Sequence, residues 1–285
     1  MLQSGRAPEE AREEPRSKEM VVSRVEELFQ PETRRGFLKM LGLGGTIVLL
    51  PSVFTSCRPD GDATGPSDGT GPVSLNLSND TGILNYAFAL EQLEAGFYMA
   101  VLASAAFNGM NADEKEVLTD LRNHEVIHRE FYRRALGTAR IGDLALNQAT
   151  VAAAVATRAT ILRNAEAFED LGVAAYNGAG KYLTDPNNLL IAGKIVSVEA
   201  RHAAAVRDLR EAAGITAGAA AGTRFAGDDV VIASGTFDGL DVKLEPGAVL
   251  TRVAATNTVA TSISIGTQPP SKAGTPDFGP PNPTP

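Results

Sequence analysis

Apolar residues recur at helical spacing from Asn79 to about Ala213, and the pattern is interrupted at three places. Asn, Gly, Asp and Pro occupy these interruptions, and these residue types end helices or cap their first turns. The second helix begins at Asn111, a capping residue, and Glu114 follows three positions later as in a capping box. The pattern therefore predicts four long helices, over residues 79–107, 111–136, about 153–182 and 186–213.

The segments on either side of these helices have a different composition. Residues 58–78 begin with a stretch of Gly, Pro, Asp, Ser and Thr, which predicts a flexible linker. Residues 215–267 are rich in Gly, Thr and Val, and their alternating runs at 230–232 and 262–265 predict small strands in a C-terminal extension. The Pro- and Gly-rich residues 268–285 predict a disordered tail.

The first 57 residues have the features of an export signal. The apolar run from Met40 to Phe54 is short for a membrane-spanning helix, which needs about 20 residues. The preceding segment, Thr33 to Lys39, resembles a twin-arginine export signal, and the residues around Cys57 resemble the site at which bacterial lipoproteins are cleaved and lipidated. These resemblances imply a periplasmic or surface protein, anchored to a membrane by lipid on Cys57; a simple cleaved signal is the alternative.

Charge and cysteine content exclude two classes of protein. The chain has 34 acidic and 26 basic residues, and beyond the N-terminal region no Lys/Arg cluster suggests a surface for nucleic acid. The single cysteine makes a disulfide within the chain impossible. We therefore expect a globular protein without nucleic-acid partners, whose core does not depend on disulfides.

Two of the three histidines follow a glutamate by three residues, which gives the pairs Glu125 with His128 and Glu199 with His202. On a helix, residues three apart lie on one face at about 5–6 Å, so a carboxylate and an imidazole from one turn can bind the same metal ion. Mixed oxygen and nitrogen ligands with open positions suit iron or manganese better than a closed zinc site. The repeated spacing predicts a metal site shared by two helices.

Two further glutamates lie at the same predicted depth as these pairs. In an antiparallel helix pair, residues equidistant from the turn face each other. The midpoint of Glu91 and Glu125 is position 108 and that of Glu169 and Glu199 is position 184, and both positions fall at predicted turns. The two hairpins can meet if a long crossover follows Gly137, and the roughly 16 residues available there can span about 3.3 Å each.

These residues resemble the ferritin-like family of di-iron or di-manganese carboxylate proteins, in which two helices each give a Glu and two each give Glu-x-x-His. The resemblance implies an all-α bundle of two antiparallel hairpins over residues 79–214. It also implies two iron or manganese ions and a reaction with dioxygen or peroxide, as an oxidase or a peroxide-removing enzyme. The implied ligands are Glu91, Glu125, His128, Glu169, Glu199 and His202.

Four other residues are candidates for the surroundings of this site. Glu94 and Glu166 lie one turn from Glu91 and Glu169, and each is an alternative or additional ligand. Tyr98 and Tyr176 lie seven residues after those same glutamates, and a tyrosine at this spacing after the first-helix Glu is common in the family that the chain resembles. Ordinary core packing is the alternative role for both tyrosines.

Two other functions fit parts of the pattern. Residues 124–128 also spell H-E-x-x-H, the zinc protease helix in which His124 and His128 bind zinc and Glu125 is the general base. Phe131 stands where the extended protease motif needs Gly, and a protease would leave the second Glu-x-x-His pair without a role. A di-metal site instead leaves His124 dispensable. The other alternative is a non-catalytic metal-binding or structural module, because a fold does not determine a function.

Overall fold

Four long helices dominate the computed structural model, which describes residues 71–215 and 240–271. The all-α prediction, a ferritin-like bundle with a small strand-containing C-terminal extension, is confirmed. Two single 3₁₀ turns, Gly137–Ala139 and Gly180–Tyr182, follow the second and third long helices. In chain order the elements are β1 (Val73–Asn76), α1 (Asp80–Ala103), α2 (Ala105–Asn108), α3 (Ala112–Leu136), α4 (Gln148–Ala154), α5 (Arg158–Ala179), α6 (Pro186–Ala212), α7 (Pro246–Thr256) and β2 (Ile263–Thr267).

Side-chain caps fix where the long helices begin. Asn79 accepts a hydrogen bond from the amide of Gly82 at the start of α1. At the start of α3, Asn111 accepts from the amide of Glu114, and the Glu114 carboxylate accepts in return from the amide of Asn111, which completes the predicted capping box. Pro186 occupies the first turn of α6, where its missing N–H costs nothing.

The long helices pack as two hairpins, α1 against α3 and α5 against α6, and α1 also contacts α5. Every residue of α1 from Asn85 to Ala95 is buried, so this helix has no solvent-facing side through its middle. A helix surrounded on all faces places any polar residue it carries inside the protein. Glu91 and Glu94 are therefore buried by the position of their helix.

The crossover between the hairpins runs along α1. Asn85 donates to the carbonyl of Ala139 over 2.9 Å and accepts from the amide of Ile141 over 2.7 Å. Further along α1, Gln92 accepts from the amide of Leu144 over 2.7 Å. The crossover thus follows α1 from its N-terminal part towards its C-terminal part, so that α5 begins near the pole where α1 ends.

The C-terminal extension packs on the bundle. Strand β2 pairs in parallel with β1, which precedes the bundle, and this pairing joins residues that are distant in sequence. The amide of Leu244 donates to the carbonyl of Ala174 in α5 over 2.9 Å. A Cβ on Gly178 would lie 1.8 Å from the carbonyl oxygen of Leu244, so the absence of a side chain at Gly178 permits this close approach.

Several element boundaries differ from those predicted. The first helix ends at Ala103 rather than near residue 107, because Ser104 is extended and its hydroxyl accepts from the amide of Phe107 to start the short α2. The third long helix begins at Arg158 rather than near 153, because Thr157 caps it. The preceding α4 and the C-terminal α7 were not predicted.

The predicted linker over residues 58–78 contains a strand. Val73–Asn76 forms β1, which buries Leu75 and is followed by the buried Leu77. The strand predicted near 262–265 is present as β2. Strand β1 has only four residues and is stabilised by β2 from the far end of the chain, so its local sequence gave little signal.

Other predictions fall on residues outside the described part of the chain. These residues are the export signal and Cys57, the run at 230–232, and residues 272–285 of the predicted tail. Within residues 71–215 and 240–271, every helix is too short or too polar to cross a membrane.

Candidate metal centre

The six residues predicted as ligands converge at the middle of the bundle, with contributions from all four long helices. All four carboxylate side chains have no solvent-exposed surface, and the two histidines are buried. Each hairpin supplies one lone glutamate and one Glu-x-x-His pair, so the helix geometry inferred from the turn midpoints agrees with the observed convergence. The six residues are Glu91 in α1, Glu125 and His128 in α3, Glu169 in α5, and Glu199 and His202 in α6.

The side chains form two overlapping groups of four. In each group, one donor atom from every member lies within 4.8 Å of the others. The first group joins Glu91 and His128 to Glu125 and Glu199, and the second joins Glu169 and His202 to the same two glutamates. Two adjacent positions for cations, with Glu125 and Glu199 common to both, are consistent with this arrangement.

Both histidines face the carboxylates with the same ring nitrogen. Nδ1 of His128 lies 2.9 Å from Oε1 of Glu199 and 3.4 Å from Oε2 of Glu91. Nδ1 of His202 lies 2.7 Å from Oε1 of Glu125 and 3.3 Å from Oε2 of Glu169. The Nε2 atoms therefore lie on the sides of the rings away from the cluster.

Two tyrosines hold the outer glutamates in a reciprocal arrangement. The hydroxyl of Tyr98 in α1 donates to Oε1 of Glu169 in α5 over 2.5 Å. The hydroxyl of Tyr176 in α5 donates to Oε1 of Glu91 in α1, and it also contacts the hydroxyl of Tyr132 at 3.0 Å. Each tyrosine thus fixes one oxygen of the glutamate on the opposite helix and leaves the other oxygen facing the cluster.

The donor atoms that face the centre of the cluster have no hydrogen-bond partner. They are Oε2 of Glu91 and Glu169, both oxygens of Glu125 and Glu199, and Nδ1 of both histidines. A buried polar atom without a partner costs about 1–3 kcal/mol, so a folded protein rarely concentrates them. Cations between these atoms would satisfy all of them, and the fold and donor set are therefore compatible with metal binding.

The protonation equilibria of the cluster are strongly perturbed. Burial raises the pKa of Glu91 to about 8 and that of Glu169 well above its usual value. Burial would raise the pKa of Glu125 as well, but the close approach of the His128 and His202 imidazoles outweighs it and lowers that pKa to about 2. Burial opposes charge on His202, but the surrounding carboxylates raise its pKa to about 12. Without a cation, these raised pKa values favour protonated forms of Glu91, Glu169 and His202.

Glu94 lies beside the cluster but belongs to neither group of four. Its side chain is 3% exposed, and burial raises its pKa well above the usual value, with a further increase from the charge of Glu199. Gly172 makes room for it, because a Cβ there would lie 2.8 Å from Oε1 of Glu94. Residue 172 follows Glu169 by the same three positions that separate Glu94 from Glu91. Where α1 has Glu94, α5 has Gly172, and the carboxyl group of Glu94 occupies the space that a side chain at position 172 would need.

Glu166, the other additional candidate, is engaged elsewhere. Its Oε1 accepts from Nη1 of Arg210 over 2.5 Å and lies 4.0 Å from Nη1 of Arg207. Arg207 in turn forms an ion pair with Asp170 over 2.5 Å. Glu166 therefore belongs to a buried cluster with Arg207 and Arg210 beside the site, and not to either group of candidate ligands.

His124 lies outside both groups but contacts a member of the second. Its Nδ1 is 2.9 Å from Nε2 of His202, whereas Glu125 and His128 face the carboxylate cluster. The arrangement that a zinc protease requires, with His124 and His128 on one ion and Glu125 free as base, is not the one observed. The prediction that a di-metal site leaves His124 dispensable stays a prediction.

The comparison with protein families agrees with this geometry. Residues 79–212 match the model of the ferritin-like domain. The match covers just under half of the chain and includes all six candidate ligands. A search of curated proteins finds no match to the chain. The region that resembles the ferritin-like domain is thus the helical bundle, and β1, α7 and β2 lie outside it.

The sequence pattern did not indicate the arginine cluster or the contribution of Gly172. A comparison of the two hairpins contains a signal for the glycine, because Glu91, Glu94 and Tyr98 align with Glu169, Gly172 and Tyr176 at a constant separation of 78 residues. The pairing of Arg210 with Glu166 has no equivalent signal, since it depends on the relative rotation of α5 and α6.

Proposed function

We propose that the chain belongs to the ferritin-like family and binds two iron or manganese ions at this cluster. The observation that carries the proposal is the set of eight buried donor atoms without partners, arranged in two groups that share Glu125 and Glu199. Four ionised carboxylates with two neutral imidazoles carry a charge of about −4, which two divalent cations neutralise in a site that excludes water. Glu91 and His128 would hold one cation and Glu169 and His202 the other, and Glu125 and Glu199 would contribute to both positions.

The reaction that we propose is oxidation by dioxygen or peroxide. Iron or manganese ions would supply the redox chemistry and the open coordination positions for the oxidant. The protein holds Glu91 and Glu169 through the tyrosine hydroxyls and keeps the cluster inside four helices. Because the outer glutamates are held by one oxygen each, their orientation is set before a cation binds.

Oxidant consumption tests this part of the proposal. The purified full chain would be loaded with Fe²⁺ or Mn²⁺ and mixed with dioxygen-saturated buffer or hydrogen peroxide, and consumption would be followed with an oxygen electrode or a peroxide assay. We expect consumption above that of free metal, and its loss in Glu199→Gln. A protein that binds two ions but consumes neither oxidant would instead be a non-catalytic metal-binding module.

We further propose that the chain is exported by the twin-arginine route and anchored through lipid on Cys57. Supporting this are the Arg34-Arg35 segment, the short apolar run after it and the position of the cysteine directly after that run. Mass spectrometry of the protein from bacterial membranes tests the anchor. A mature chain that begins at Cys57 with added lipid mass is expected, and an unmodified chain that begins elsewhere would contradict it.

A further inference from the structure

His124 is a solvent-exposed residue of α3 that touches the buried cluster through a single contact. The Nδ1 atom of His124 and the Nε2 atom of His202 are 2.9 Å apart, the ring centroids are 5.1 Å apart and the ring planes differ by 11°. Two nearly coplanar rings with adjacent nitrogens meet edge to edge, which is the geometry of a hydrogen bond.

The chemistry of imidazole determines the direction of this bond when His202 binds a cation. Nδ1 of His202 faces the carboxylates of Glu125 and Glu169, so Nδ1 would give its lone pair to the ion. A neutral imidazole carries one N–H, and that proton must then be on Nε2. Nδ1 of His124 is placed to accept it, so His124 would keep its own proton on Nε2, towards solvent.

The other half of the site lacks this support. No hydrogen bond joins Nε2 of His128 to another residue within the part of the chain that the structure describes, and 11% of the His128 side chain is exposed to solvent. The residue before Glu125 on α3 is His124, which contacts the histidine of the other Glu-x-x-His pair. The equivalent residue before Glu199 on α6 is Val198, and its side chain cannot form a hydrogen bond. The two halves have the same types of ligand, but only His202 has a side chain within hydrogen-bonding distance of its Nε2 among the described residues.

We infer that His124 is a positioning residue that fixes the tautomer and orientation of His202 and thereby makes the second of the two cation positions the tighter one. This inference rests on the proposed di-metal function. Partners that hold a metal-bound histidine typically change metal affinity about 10- to 100-fold. Since His128 has no such partner, the effect should be confined to the position that includes Glu169 and His202.

The test compares His124→Ala with His124→Asn. Oδ1 of asparagine is as many bonds from the backbone as Nδ1 of histidine and can accept the same hydrogen bond, so the second variant should rescue the first. Metal-free full-length chains would be titrated with Mn²⁺ without oxygen, in competition with a chelating dye. The melting temperature of each metal-free variant would show whether its fold is intact.

We expect two binding steps in the wild type. His124→Ala should weaken one step about 10- to 100-fold and leave the other unchanged, with little change in the metal-free melting temperature. His124→Asn should remain close to the wild type. Equal affinities in wild type and His124→Ala, or equal weakening of both steps, would overturn the role of His124 while leaving the di-metal proposal intact. A wild type that binds no Mn²⁺ or Fe²⁺ would instead reject the proposed function.

Discussion

Replacing Tyr98 with phenylalanine removes the hydroxyl that donates to Oε1 of Glu169 over 2.5 Å and leaves the rest of the buried ring in place. Tyr98 and Glu169 have no exposed surface, so water cannot readily replace the lost donor. The free energy lost depends on the charge of Glu169. A hydrogen bond between neutral groups contributes about 0.5–1.5 kcal/mol, and one to a charged group about 1.5–3 kcal/mol.

The metal affinity should therefore fall in Tyr98→Phe. Without a cation, burial raises the pKa of Glu169 well above its usual value, which favours the neutral carboxyl and therefore the weaker kind of bond. With cations bound, Glu169 is ionised and the lost bond is of the stronger kind. The midpoints of the two ranges differ by about 1.3 kcal/mol, which corresponds to roughly tenfold weaker metal binding.

Tyr86→Phe is the matched control for this change. Tyr86 is 1% exposed, and its hydroxyl has no hydrogen-bond partner within the described residues. Deleting that hydroxyl should leave metal affinity unchanged, because no bond to a ligand is lost. Both variants would be titrated with Mn²⁺ against a chelating dye. If Tyr98→Phe bound metal as tightly as Tyr86→Phe, the hydroxyl would have no role in holding Glu169 for a cation.

Two further predictions concern the fold. Gly178→Ala should destabilise the protein by about 1–3 kcal/mol, because its Cβ would meet the backbone of Leu244 at 1.8 Å. Gly193→Ala is the control, because Gly193 is exposed on α6 and nothing lies within 4 Å of the new Cβ; it should stabilise the protein by about 0.5–1 kcal/mol. Urea denaturation measures the free energy of unfolding of both variants. Equal effects would refute the docking of Leu244 on α5. Burial would raise the pKa of Asp80, but hydrogen bonds from Asn188 in α6 and from Asp185 and Thr184 before it outweigh burial and lower that pKa to about 2 from 3.8. Asp80→Asn should therefore melt at a lower temperature than the wild type at neutral pH, and the gap should close as the pH falls from 3.8 towards 2; a gap that stayed constant with pH would contradict this.

The positions of the six candidate ligands were predictable because helical geometry relates sequence to space simply. A spacing of three places Glu125 and His128 on one face, and equal distances from a turn place Glu91 opposite Glu125. Neither relation depends on details of packing. The long crossover was predictable from the same geometry. The glutamates of the two hairpins could lie at the same depth only if the chain after Gly137 ran the length of the bundle before the next helix began.

The choice between neighbouring glutamates could not be made from spacing alone. Glu166 and Glu169 are both buried on α5, but the partner of Glu166 is Arg210, which approaches from α6. The contact between His124 and His202 joins residues 78 positions apart and depends on how α3 and α6 are rotated. Such contacts are decided by side-chain packing between helices, for which a periodic pattern carries no information.

Strand β1 and its pairing with β2 were missed because the contacts that stabilise β1 are not local. Val73 pairs with Ile263, and each strand alone is too short to be stable in water. The composition of residues 58–78 was dominated by the Gly- and Pro-rich part, which concealed the alternation of Leu75 and Leu77. Both leucines are buried, at 1% and 0% exposure, and this burial stabilises the strand against the bundle.

The metal content of the purified chain decides whether the buried cluster binds cations. Elemental analysis would be carried out on wild type, Glu199→Gln, which alters a carboxylate common to both groups, and Glu116→Gln, an exposed position of α3. We expect two iron or manganese ions per chain in wild type and in Glu116→Gln, and a large loss in Glu199→Gln. A folded wild type that retains no more of either metal than Glu199→Gln would contradict this expectation.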